Sequence, residues 1–359
     1  MLGFAPISIV NGKSVTRPTD LLMSIVNLII CVIFTWLLFN FKENFRSSSI
    51  DIINQGNFVT YVSALLMVVL FFVVFFIFRH QIWEMVLLLR EIDLILQINE
   101  PARDAFVKTS PFVFGALVLM ALPLAYFVFR MDGLIMKAVL YLYAGSYYVL
   151  SIGTASTFIS SMFLRVRSIN GQMEAMLKKS RTSMKRLSFK QNECQDNDKI
   201  EKFTQAYGKV IKINQLINLC YGVPVMFGYG LMFFHTIFTT FLTCKDFVDN
   251  GSISGISLGM FMFTSYLNLV TNFVVLFDFL ATREATRTLK LSNKLINVTT
   301  DDTKTLMLIS FSMYVNRNIP KFSCGLFDFN LKMVGGMIAS LVSNFVLLLQ
   351  FTIASEKNN

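Results

Sequence analysis

Residues Leu331–Ala354 read LKMVGGMIASLVSNFVLLLQFTIA, an apolar run in which Lys332 is the single charged side chain. A helix needs about 20 such residues to cross the hydrocarbon core of a bilayer. Working back toward the N-terminus, six more stretches satisfy the same test: Leu21–Phe41, Phe58–Phe78, Phe112–Phe129, Ala138–Leu164, Cys220–Thr243 and Ile256–Leu280. The chain is 54% hydrophobic, 15% charged and carries 37 Phe, so it reads as an all-α membrane protein with seven transmembrane helices.

The basic residues give the orientation. The N-terminus and the second, fourth and sixth loops hold 25 of the 32 Lys and Arg, while the remaining loops and the C-terminus hold 6. Basic loops stay in the cytoplasm, so an inside N-terminus and an outside C-terminus are expected. The net charge of +10 is juxtamembrane, which points to anionic lipid headgroups and away from nucleic acid. Met1–Asp20 has no apolar core, so no cleavable signal peptide is expected ahead of the first span. Five cysteines make no disulfide framework, because this topology leaves only Cys244 outside. Two sequons test the same topology. Asn250-Gly251-Ser252 falls outside and is the expected glycan acceptor, whereas Asn297-Val298-Thr299 falls inside and should stay bare.

Most of the non-membrane mass hangs from the cytoplasmic side. Arg79–Asn99 mixes Ile82, Met85, Leu89 and Ile92 with Glu84, Arg90 and Asp93 at helical spacing, which predicts a helix leaving the membrane and ending at Pro101. The fourth span runs on through Arg165–Lys179, and polar residues 178–198 read as a mobile linker. Helical spacing returns at Ile200, Phe203, Tyr207, Val210 and Ile213 and leads into the fifth span. Arg283–Leu295 and Leu306–Val315 add two more inner segments. Residues 1–330 thus form a six-helix bundle with an inner platform, and 331–359 form the seventh helix and a short tail. Asp278 is the one acid well inside an apolar run, and such a group needs a partner; Arg283 or Arg287 is expected to supply it.

On the seventh helix, Gly336, Ser340, Ser343, Leu347, Gln350 and Ala354 recur every three to four residues as one small or polar stripe. Periodicity leaves two readings open. The stripe lines an aqueous pore, or it lets another helix approach closely.

The segment Lys321-Phe322-Ser323-Cys324-Gly325-Leu326-Phe327-Asp328 and the later Ser343-Asn344, five apolar residues and Gln350-Phe351 resemble the closing signature of insect gustatory receptors, relatives of the insect odorant receptors. Leu216–Gly222, with Asn218, Tyr221 and Gly222, resembles the same family at the fifth span. One departure stands out: Asn344 replaces the usual Tyr, although Ser343 keeps the hydroxyl of the usual Thr. The resemblance implies a tetrameric, ligand-gated, non-selective cation channel in the plasma membrane. Monovalent cations and some Ca²⁺ would pass a central pore lined by the seventh helix. Ser340 and Ser343 would face that pore, Gln350 would present an amide ring, and Leu347 with Phe351 would form an apolar constriction.

The resemblance also implies a small-molecule tastant, bound in a pocket within each subunit's bundle and open to the outside. Tyr126, Tyr143, Tyr147, His235, Phe261 and Tyr266 are the candidate lining residues. Tyr143 and Tyr147 share a helix face, while Tyr141 fits an interfacial belt. His235 has no second His, Cys or carboxylate at ligand spacing, so hydrogen bonding is expected of it and neither a metal nor a cofactor is implied. A bitter-type ligand is preferred over a sugar because sugar-receptor chains are usually longer. Homomeric and heteromeric assembly with other gustatory subunits both remain open. Among other classes, a G-protein-coupled receptor needs an outside N-terminus, and its acidic-Arg-Tyr and Asn-Pro-x-x-Tyr motifs are missing here. A transporter would show repeats, and an enzyme would need a nucleophile or metal cluster that the sequence does not offer.

Overall fold

In the computed structural model, residues 8–10, 13–15, 73–98, 135–183, 193–253 and 255–357 are described, with positions 26, 29, 33, 62, 66, 69 and 70. The expected spans Leu21–Phe41 and Phe58–Phe78 are described only at those positions and at 73–78, and Phe112–Phe129 lies outside the described residues. Six helices follow in order: α1 (Arg79–Ile95), α2 (Ile135–Ser183), α3 (Glu193–Asn250), α4 (Gly255–Ile296), α5 (Asp302–Arg317) and α6 (Leu331–Lys357).

Among the described residues the fold is all-α, with one short hairpin ahead of the helices. Strands β1 (Ser8–Val10) and β2 (Lys13–Val15) pair antiparallel, with Ser8 opposite Val15. The sequence between them is Asn11-Gly12, the residue pair that two-residue hairpins favour.

Helices α2, α3 and α4 have 49, 58 and 42 residues. At 1.5 Å per residue these are roughly 74, 87 and 63 Å long, about two to three times the thickness of a hydrocarbon core. Within them, Tyr148–Ser180, Asp196–Val248 and Ser257–Ile296 are long and apolar enough to cross a membrane. Each must therefore project well beyond the bilayer, and the projecting halves pack together as a platform.

There Met85, Leu89 and Ile92 of α1 meet Val166, Ile169 and Met173 of α2 in one core with Phe203, Tyr207 and Val210 of α3. Leu295 of α4 and Leu308, Phe311 and Val315 of α5 complete it. α5 starts where Asp301 accepts a 3.0 Å bond from the Thr303 N–H, and it carries Asp302 in its first turn and Arg317 in its last.

Two expected boundaries move. α1 ends at Ile95, ahead of Pro101, because the Ile98 N–H reaches the Asp93 carbonyl (3.0 Å) and the Gln97 N–H reaches Leu94 (3.3 Å). Gln97 takes a φ of 51° to close this motif. The polar stretch 178–198 is also helical at both ends, since α2 runs to Ser183 and α3 begins at Glu193. Asp196 explains why α3 starts early: it is buried and bonds Lys304 of α5 at 2.9 Å.

Candidate functional site

The thirteen residues between α5 and α6 are held by side chains that reach their backbone. From one face of α3, the Tyr207 hydroxyl donates to the Asn318 carbonyl (3.1 Å), and Asn214 and Asn218 both donate to the Lys321 carbonyl (3.1 and 2.9 Å). Asn218 also accepts from the Ser323 N–H at 3.1 Å. From α4, Thr282 donates to the Pro320 carbonyl (2.9 Å) and the Asp278 carboxylate accepts from the Phe322 N–H (2.7 Å). The partner of Asp278 is therefore a backbone amide, not Arg283 or Arg287. Arg287 instead pairs with Glu174 of α2 at 2.7 Å, where it leaves α4 on the opposite errand of tying two helices together.

The Lys321–Asp328 motif is a small hairpin closed by a bridge between Ser323 and Asp328. Gly325 takes a φ of 86° at its tip, a conformation that disfavours any side chain. At its base Phe322 stacks on Phe329 with centroids 4.8 Å apart, and Tyr229 of α3 stacks on Phe329 at 5.6 Å. Gly222 of α3 makes the seat: a Cβ there would lie 2.5 Å from the Ser323 carbonyl oxygen. Asn218 and Gly222, two of the residues that carry the family resemblance, thus meet the Ser323–Cys324 backbone of the signature segment.

Helix α6 rises directly from this hairpin, with the Asn330 side chain accepting from the Met333 N–H at 3.0 Å. Met333, Val334 and Met337 pack on the core, and then the helix parts from the bundle. Ser340, Ser343 and Gln350 of the expected pore face are exposed, as is Leu347, but so are Val342 and Val346 on another face. Burial within one subunit accordingly does not single out the polar stripe. Asn344 turns its amide back onto its own helix, donating to the Ser340 carbonyl at 2.8 Å. The side chain of Phe351 lies outside the described residues.

Between the outer halves of α3 and α4 runs a polar ladder. His235 is buried and its Nδ1 shares a 2.7 Å bond with the Thr264 hydroxyl. Asn268 donates to the Thr236 hydroxyl at 2.7 Å, and the Tyr229 hydroxyl donates to the Thr271 carbonyl at 3.0 Å. Tyr148 of α2 joins through a 2.6 Å bond to the Thr271 hydroxyl. Of the expected ligand-lining residues, Phe261 and Tyr266 are half-buried beside this ladder on α4, and the Tyr266 hydroxyl atom is buried without a hydrogen-bond partner. Tyr143 and Tyr147 fall within α2 and Asn250 ends α3, but their side chains, and all of Tyr126, lie outside the described residues. Among the described residues no group of three or more His, Cys, Asp or Glu is placed to hold a metal ion.

The sequence pattern of the 7tm chemosensory receptor family matches residues 1–355. The chain belongs to that family. No curated protein sequence matches it. Among solved structures, the insect olfactory receptor OR5 from Machilis hrabei superimposes on the chemosensory receptor with a TM-score of 0.66 at 13% identity. The match covers 97% of this chain and 95% of that one. The same receptor in complex with eugenol gives a TM-score of 0.60 over equal coverage. The receptor is therefore a multi-pass membrane protein with the insect olfactory receptor fold.

Sequence reasoning singled out Asn218 and Gly222 but missed Tyr207, Asn214 and Thr282 as part of the site. All three act on backbone atoms, and a side chain that binds a main-chain amide or carbonyl has no partner residue type for a sequence pattern to display.

Proposed function

We propose that the receptor is a gustatory subunit working as a ligand-gated, non-selective cation channel. Its N-terminus lies in the cytoplasm and its C-terminus outside, and four copies, alike or mixed with other gustatory subunits, surround a pore lined by α6. The carrying observation is the exposure of α6 on both its apolar and its polar faces. Lipid covers exposed Val342 and Val346 at no cost, but the exposed Gln350 amide needs water or a neighbouring subunit. A tetramer with a central aqueous path satisfies both faces at once. On α5, exposed Leu306, Ile309 and Met313 recur at helical spacing and favour the same assembly.

The ligand, a bitter-type contact compound, binds beside Tyr266, Phe261 and His235 in the outer halves of α3 and α4, with Tyr126, Tyr143 and Tyr147 as further candidate lining residues. The Cys324-Gly325-Leu326-Phe327 run and the Gln350-Phe351 pair favour a taste receptor. The fold shared with an olfactory receptor supports an odorant receptor subunit as the second reading.

Whole-cell recording with G-protein signalling blocked tests the channel, using separate panels of plant tastants and volatiles. A tastant-evoked cation current that survives the block is the expected result. A current abolished by the block overturns it, and a response to volatiles alone selects the second reading. For orientation, Asn250→Gln should remove an endoglycosidase-sensitive mass shift that Asn297→Gln leaves intact. The reverse pattern would invert the topology.

A further inference from the structure

The strand that leads from α5 into α6 is gripped by its backbone. Tyr207, Asn214 and Asn218 hold it from α3, and Asp278 and Thr282 hold it from α4. Two of these residues do more than the others. Asn218 holds both sides of the Phe322 residue through the Lys321 carbonyl and the Ser323 N–H, and the buried Asp278 carboxylate takes the Phe322 N–H between them. Three consecutive residues are thus fixed to two helices by bonds that do not depend on the strand's own side chains. Asp278 is the acid among these five side chains, and a hydrogen bond to an ionised acceptor is roughly twice as strong as a neutral one. Gly222 removes the last freedom by letting the Ser323 carbonyl sit against the α3 backbone.

The same two helices carry the outer polar ladder, through His235, Thr264, Thr236 and Asn268. A shift of α4 against α3 in the outer half must therefore reach the strand at its two grips. From there it continues through the bridged hairpin to Asn330, which caps the first turn of α6.

We infer that Asn218 and Asp278 are positioning residues of the gate, clamping the Lys321–Ser323 backbone so that the inner end of α6 moves with α3 and α4. This rests on the channel reading for its consequence but not for its geometry, and two readouts separate them. The first uses Cys324, which is half-buried in the clamped hairpin. The full-length receptor in lipid nanodiscs, with Cys220→Ala and Cys31, Cys194 and Cys244 changed to Ser, is labelled with N-ethylmaleimide. Asp278→Ala should raise the Cys324 labelling rate about tenfold, the expected consequence of losing one charge-assisted bond. Asp278→Asn retains an acceptor oxygen and should fall between Asp278→Ala and the parent. Asn218→Ala should act in the same direction. Unchanged labelling in folded, monodisperse variants overturns the clamp, whatever the channel does.

The second readout is single-channel recording of spontaneous openings. Asp278→Asn and Asn218→Ala should change the open fraction several-fold while unitary conductance stays constant, a split that simple loss of folded protein does not produce. Faster labelling with an unchanged open fraction would leave a structural tether only and overturn the gating role. A parent receptor that conducts no current would count against the channel reading, with the labelling result still standing.

Discussion

The inner platform and the outer part of α6 are built on opposite rules. In the platform, charge is buried and matched. Arg165 of α2 bonds the Asp93 carboxylate of α1 at 2.8 Å while its other nitrogens reach the Ser161 and Leu89 carbonyls. Asn170 of α2 donates to both the carbonyl and the carboxylate of Glu284, and accepts from Thr288 at 2.7 Å. Nearer the surface, Lys209 and Lys212 of α3 form exposed pairs with Glu91 and Glu84 of α1. On α6, by contrast, Ser343 donates to the Ala339 carbonyl at 3.0 Å and Asn344 to the Ser340 carbonyl at 2.8 Å, both within their own helix. A region whose polar groups are matched to other helices has one arrangement. A helix whose polar groups are satisfied locally can occupy several, which is what a gate requires and a platform must avoid.

The largest test of this contrast is Arg165→Met. Breaking one partner of a buried ion pair leaves the other charge stranded, at a cost of about 3–5 kcal/mol. Thermal unfolding of the detergent-solubilised receptor should show the loss for Arg165→Met, with the Arg165→Met/Asp93→Leu double variant recovering most of it. Equal instability of the single and double variants would mean that the pair matters through its backbone bonds to Ser161 and Leu89 and not through charge matching.

Next in size is Gly222→Ala at the junction between the two regions. The added methyl would meet the Ser323 carbonyl oxygen at 2.5 Å, and the atom in the way is backbone. Overpacking of this kind costs about 1–3 kcal/mol. Here the strand can relieve it by lifting off α3, so Cys324 should label faster even though every clamping side chain is intact. Destabilisation without faster labelling would place the strain inside α3 instead.

A smaller effect, about 1 kcal/mol, is expected from Thr264→Val, which removes the hydroxyl paired with His235 while keeping the shape. The same unfolding assay measures it. A loss as large as that of Arg165→Met would show that the outer ladder is as tightly specified as the platform.

How much of this was legible follows the same divide. Apolar length and basic loops disclosed the long helices, because burial in lipid and charge at its edge are properties of single residues. The inner extensions were visible too, since Phe203, Tyr207, Val210 and Ile213 repeat at helical spacing and all face the core. Asp278 was recognised as a buried acid in need of a partner, yet the partner was sought among arginines. What it found was the Phe322 amide, 44 residues on, supplied by a turn that no periodicity encodes. The early stop of α1 was hidden for a related reason: Gln97 adopts a left-handed conformation that its residue type does not advertise. For α6, the stripe containing Ser340, Ser343 and Gln350 was plain in the sequence, but a single subunit exposes it along with its apolar neighbours.

That last point sets the smallest expected effect on stability and the sharpest on function. Gln350 is exposed on α6, so Gln350→Ala should change the unfolding midpoint of the subunit by less than about 0.5 kcal/mol equivalent. If four such amides face permeating ions, the same substitution removes four polar groups from the narrowest part of the path. The ligand-evoked current should then change its reversal potential or rectification, with expression unaltered. If Gln350 instead holds neighbouring α6 helices together, the tetramer should weaken in size-exclusion chromatography while the current that remains keeps its reversal potential. The two outcomes separate a residue that addresses ions from one that addresses another helix, a distinction that exposure in one subunit cannot make and periodicity left open.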